Sequence, residues 1–134
     1  MFMKSSISAI LIILSFLVLL DACKITVKLK SRTRNKFQIQ IFVPALKQKT
    51  EKVTFERPGE KKVQVEGLEC WKEHWLIRTW KLDADGNWVH ALPDDKELKV
   101  KLEGNGWLRI MIDDDLKPWI NERNGIFCSE GMCG

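Results

Sequence analysis

The chain reads as an all-β protein: one antiparallel β-sandwich of about eight short strands, set behind a cleaved leader. Three observations predict it. Apolar and polar residues alternate with period two through much of residues 24–112, the pattern of strands with one buried and one solvated face. Turn-forming clusters divide these runs at roughly ten-residue spacing. After residue 23, no segment carries an apolar stripe of helical period preceded by a capping residue.

The leader comes first. Lys4 precedes an apolar run from Ile7 to Leu20, which ends in Asp21-Ala22-Cys23. A basic residue, an apolar stretch of this length and a small residue at the cleavage point make a secretory signal over residues 1–22. The run falls short of the about 20 residues that a bilayer crossing needs, so no stable membrane span is expected. Leu20-Asp21-Ala22-Cys23 also resembles the bacterial lipoprotein signal, Leu-small-small-Cys, although Asp21 departs from it. That alternative implies a lipid anchor on Cys23.

Residues 23–134 are expected to form one domain, large enough to bury a core of its own. Ile25, Val27 and Leu29 alternate with Lys24, Lys28 and Lys30 in the first strand. Phe37, Ile39, Ile41 and Val43 alternate with Gln38, Gln40 and Phe42 in the second. Shorter segments follow at Val53–Phe55, Val63–Val65, Trp75–Leu82, Trp88–Leu92, Leu98–Leu102 and Leu108–Ile112. Turns are expected at Arg57-Pro58-Gly59, Asp85-Gly86-Asn87, Leu92-Pro93-Asp94-Asp95 and Gly104-Asn105-Gly106. The tail from Lys117 to Gly134 shows no alternation and reads as irregular. The expected core holds Ile25, Val27, Phe37, Ile39, Ile41, Val100, Leu108 and Ile110.

Export changes what cysteine means. Cys23, Cys70, Cys128 and Cys133 make an even set in a secreted chain, which implies two disulfides and three possible pairings. Cys23 is expected to tie the first strand to Cys70 or Cys128, while Cys128 and Cys133 are close enough for a local loop. A zinc site is not expected from thiols so scattered, with His74 and His90 the only imidazoles.

Charge is uneven along the domain. Residues 24–62 carry 12 basic and 3 acidic side chains; residues 63–134 carry 9 basic and 14 acidic. A basic half can recruit polyanions, but lysines alternating with apolar residues also serve to solvate strand faces and guard edges. With export, that pattern argues against nucleic acid as the ligand.

The candidate binding residues are tryptophan and arginine. Six tryptophans and no tyrosine occur in the chain. On the strand from Trp75, the residues Trp75, Ile77 and Thr79 share one face, and Arg78 and Trp80 share the other. On the last strand Leu108, Ile110 and Ile112 face the core, so Trp107 and Arg109 face out. Two strands thus offer outward Trp-Arg pairs, which suit cation–π stacking and are enriched at binding hot spots. Arg78, Trp80, Trp107, Arg109 and Trp88 form the expected binding face for an extracellular protein or glycan.

Two acidic segments invite a calcium reading: Asp83-Ala84-Asp85-Gly86-Asn87 and Asp113-Asp114-Asp115. Calcium needs six to eight converging oxygens, and the first segment lacks a closing bidentate glutamate. A hairpin turn explains its letters more simply, so no metal or cofactor is expected. No nucleophile elbow, metalloprotease helix or phosphate-cradling glycine loop is present. The chain is therefore not expected to be an enzyme.

Two fragments resemble inhibitors of cysteine proteases. Val63-Gln64-Val65-Glu66-Gly67 is similar to the cystatin hairpin Gln-x-Val-x-Gly, with Val63 in place of the glutamine. Lys117-Pro118-Trp119 is similar to the Pro-Trp loop of cystatins and the Arg-Pro-Trp loop of chagasin-like inhibitors. The resemblance implies an alternative function, a wedge made by the Gly104-Asn105-Gly106 and Lys117-Pro118-Trp119 loops. More broadly, Ala22-Cys23-Lys24-Ile25-Thr26-Val27, Trp75-Leu76-Ile77-Arg78-Thr79-Trp80 and Asp115-Leu116-Lys117-Pro118 resemble the small secreted β-domain proteins of uncharacterised role found in nematodes. That resemblance implies secretion and supplies no catalytic residue.

Overall fold

A computed structural model describes residues 22–133 of the chain. The expected leader lies outside the described residues, apart from Ala22. Nine strands follow in order: β1 (Ala22–Ser31), β2 (Phe37–Val43), β3 (Gln48–Lys49), β4 (Val53–Phe55), β5 (Gly59–Leu68), β6 (Trp75–Leu82), β7 (Trp88–His90), β8 (Leu98–Ile112) and β9 (Trp119–Gly131). The protein is all-β, as the alternation predicts. Among the described residues no helix is long and apolar enough to cross a membrane.

All nine strands belong to one curled sheet, ordered β3-β2-β6-β8-β1-β5, with β4 on β2, β7 on β6 and β9 on β8. The long strand β8 makes the curl. Along one edge it pairs with β9 over most of its length. Along the other, Leu98–Val100 pair with β6, and Asn105–Ile112 pair with β1. The sheet thereby divides into two layers hung from the β8–β9 hairpin, one carrying β6, β2 and their neighbours, the other carrying β1 and β5. Their inner faces enclose a single core in which Ile25, Val27, Phe37, Ile39, Ile41, Val100, Leu108 and Ile110 are all buried. Trp75 joins them, its indole Nε1 donating to the Cys70 carbonyl at 2.9 Å, because a buried N–H needs an acceptor.

Three local expectations are corrected. First, β1 runs parallel to β8, the exception to otherwise antiparallel pairing. Alternation records which face is buried and carries no information about strand direction. Second, Gly104-Asn105-Gly106 makes no turn. The two segments at Leu98–Leu102 and Leu108–Ile112 are one strand, and the glycines sit at a register shift against β9. Gly104 has φ +120°, and a side chain on Gly106 would run into the Asn124 carbonyl, so glycine is required where the two backbones approach this closely. Third, the tail is not irregular: Trp119–Gly131 form β9. Only Ile120 and Ile126 of that strand are fully buried, which is why no alternation marks it.

Both disulfides are present. Cys23 joins Cys70, with Cα atoms 6.3 Å apart, and fastens the start of β1 to the connection between β5 and β6. Cys128 joins Cys133 across a Cα separation of 5.8 Å and closes a small loop at the end of β9.

Candidate functional site

The outer face of the layer formed by β5, β1, β8 and β9 carries an aligned set of aromatic and charged residues. Directly opposed residues in a sheet point to the same side. One row across the strands therefore reads Gln64, Thr26, Trp107, Asn124, and the next Lys62, Lys28, Arg109, Glu122. Val63, Val27 and Leu108 point inward between them.

Trp107 is partly exposed and lies between two cations. The Lys28 ammonium stands 3.8 Å from the ring centroid and the Arg109 guanidinium 5.7 Å from it. Arg109 is itself held in place: Nε donates to Glu60 Oε1 at 3.3 Å and Nη1 to Glu122 Oε2 at 2.8 Å. These bonds reach from β8 to the strands on either side, across β1 to β5 and over to β9. Lys28 and Lys62 face one another in register. Among the described residues neither has a carboxylate within ion-pair distance, whereas Lys24 pairs with Glu66 at 3.5 Å. Three cations thus stand in line, and only Arg109 is neutralised. Like charges directly opposite one another cost stability, and an anionic ligand would relieve that cost.

At the far end of this face, Arg32 Nε donates to Asp113 Oδ1 at 2.6 Å, and Trp119 Nε1 donates to Oδ2 at 2.9 Å. The Arg32 guanidinium also lies 5.7 Å from the Trp119 ring. Chiefly through the Arg32 hydrogen bond, with help from Trp119 and against partial burial, the Asp113 carboxyl is held below its ordinary range. The Arg32 guanidinium is correspondingly raised.

The other expected binding residues lie elsewhere. Arg78 and Trp80 belong to β6 in the second layer, so they do not share a surface with Trp107 and Arg109. Trp80 is only 7 % exposed. The His90 ring packs edge-on against it at 5.7 Å and the Lys52 ammonium lies 4.3 Å from its centroid. Arg78 turns to Glu97, donating from Nε to Oε1 at 2.8 Å. Trp88, on β7, is half-buried, with Lys36 at 5.8 Å. Of the five, Trp107 and Arg109 come together. Lys28, Lys62, Glu60 and Glu122 were not singled out as site residues by sequence reasoning, and Trp119 was expected only in the loop of the alternative inhibitor wedge. The alternation of β1 and β5 places the lysines outward, but only the strand pairing brings Lys28 to Trp107 and Lys62 to Lys28.

Each acidic segment gives carboxylates to local structure. Asp83 Oδ1 accepts from the backbone amides of Asp85 and Asn87, each at 2.9 Å, and so closes the β6–β7 hairpin. Asp115 Oδ1 accepts from the Lys117 amide at 3.0 Å in the β8–β9 turn. The two segments of the inhibitor wedge do not meet. Gly106 stands five ladder positions beyond the Met111–Trp119 pair, about 17 Å along the strand from Trp119.

No protein-family model matches the chain, and no curated protein is significantly similar to it.

Proposed function

We propose that this protein is a secreted, non-catalytic binding protein whose outer β5–β1–β8–β9 face takes an extracellular protein or glycan carrying acidic groups. The observation that carries the reading is the Trp107 indole set between Lys28 and Arg109, within the line Lys62–Lys28–Arg109. A flat, partly exposed indole supplies an apolar platform for a sugar ring or a side chain. The unneutralised ammonium groups of Lys28 and Lys62 supply attraction for carboxylate or sulfate, and this term is sensitive to salt. Two disulfides and the leader-like start of the sequence agree with an oxidising destination.

An array of sulfated, carboxylated and neutral glycans, run beside a screen against extracellular proteins, tests it. Binding should favour acidic ligands and weaken as salt is raised. Trp107→Ala and Lys28→Glu should each reduce affinity about tenfold, equivalent to about 1.4 kcal/mol, while leaving the fold intact. Retention of every detected interaction in both variants would overturn the reading.

A further inference from the structure

β7 ends at His90 and β8 begins at Leu98; between them Asp94–Lys96 make one 3-10 turn. That turn brings His90, Asp94 and Glu97 together, so that one donor atom from each lies within 4.8 Å of the other two. Two of the three are exposed. The third, Glu97, has a side chain only 1 % exposed. Its Oε1 accepts from Arg78 Nε at 2.8 Å, but its Oε2 is buried and has no hydrogen-bond partner, the one such side-chain atom among the described residues. A carboxyl oxygen withdrawn from water and left without a partner is costly. A cation beside it removes that cost.

We propose that His90, Asp94 and Glu97 bind a divalent transition-metal ion, of which zinc is the best match. One imidazole nitrogen and two carboxylate oxygens suit zinc. Calcium would require six to eight oxygens and makes little use of imidazole. Zinc–ligand distances of about 2.0–2.2 Å put neighbouring donors closer together than 4.8 Å; the exposed Asp94 side chain closes that gap by rotation, giving up its 4.0 Å contact with Arg78 Nη2. The surroundings restrain the set. The His90 ring rests edge-on against Trp80 at 72°, and the Ala91 amide donates to the Thr79 carbonyl at 2.9 Å, pinning the residue that follows. The turn is closed by the Lys96 amide donating to the Pro93 carbonyl at 2.9 Å. Arg78 orients the Glu97 carboxylate from its other oxygen, the role that outer hydrogen-bond partners play around metal ligands. Three protein donors leave at least one coordination position for water or a ligand group.

The test uses the mature secreted protein, stripped with EDTA and titrated with zinc chloride. Calorimetry reads affinity, and proton NMR follows the imidazole signals of the two histidines, assigned by their loss in His90→Ala and His74→Ala. One equivalent of zinc should bind, shifting the His90 signals and leaving those of His74 in place. Excess calcium should not compete. His90→Ala, which alters an exposed side chain, and Glu97→Gln, which keeps an acceptor for Arg78, should each weaken binding about tenfold or more. Absence of binding at millimolar zinc would overturn the proposal. So would undiminished affinity in His90→Ala, or a shift confined to His74.

Discussion

Trp107 and Asp113 show how much a single side chain on this face depends on the strands beside it. Thr26 and Asn124 flank Trp107 in the ladder, so small polar neighbours leave its indole partly open, and Lys28 supplies a cation above the ring. The same kind of residue on β6, Trp80, has His90, Gln38 and Lys52 around it and is closed off. Nothing in the two local sequences distinguishes them. Asp113 yields a prediction with a definite sign. Arg32 and Trp119 hold its carboxyl below the ordinary range in the folded protein. The contribution is therefore present at neutral pH, above the unfolded carboxyl's range, and is lost as pH falls through the depressed folded value. Asp113→Asn should lower stability slightly at pH 7, since the pair is at the surface and screened. The difference from wild type should shrink on acidification and vanish once Asp113 is protonated in both states. Urea titrations of both proteins across the acid range measure this, and a difference that grows toward low pH would contradict it.

At the scale of the element, β8 is the decisive strand, because it changes partner from β6 to β1 along one edge. The change occurs around Gly104-Asn105-Gly106, where the register against β9 also shifts. A methyl group at Gly106 meets the Asn124 backbone carbonyl, which belongs to the paired strand and cannot swing aside as a side chain would. Gly106→Ala should therefore destabilise the protein by about 2 kcal/mol, measured by chemical denaturation. Because the bulge also sets how Trp107 leaves the sheet, the same variant should weaken ligand binding. The strand β9 shows the limit of pattern reading. Its ladder with β8 holds it, while most of its side chains remain in water, so a period-two signal had no buried face to record.

Across the whole molecule, stability rests on one core shared by two layers, together with two cross-links of unequal reach. Ile39 and Ile110 are buried, on β2 and β8 respectively. Ile39→Asn or Ile110→Asn should cost about 3–5 kcal/mol through lost packing and an unsatisfied amide, enough to abolish cooperative unfolding in a marginally stable domain. The disulfides separate by loop length. Cys23–Cys70 spans 47 positions and Cys128–Cys133 only 5. In the chain-entropy model these correspond to about 4 and about 2 kcal/mol. The double substitution of Cys23 and Cys70 by alanine should therefore lower the denaturation midpoint roughly twice as far as that of Cys128 and Cys133. Equal effects would mean that the short loop also supports β9.

The sequence by itself determined that this is an all-β domain, which residues form its core, and that its cysteines are an even set. Those properties follow from local periodicity and composition, because a strand with one buried face must alternate wherever it lies in the sheet. The positions of β4 and β6 were legible residue for residue. Tertiary structure alone decided that β1 lies parallel to β8, that the glycine run is a bulge, and that the tail is a strand. It also decided that Trp107 rather than Trp80 reaches solvent, that Lys28 stands over its ring and that Lys62 stands beside Lys28. The physical reason is common to all of these: pairing between strands distant in sequence sets each side chain's neighbours, and neighbours determine whether an outward residue is covered, neutralised or left free to bind.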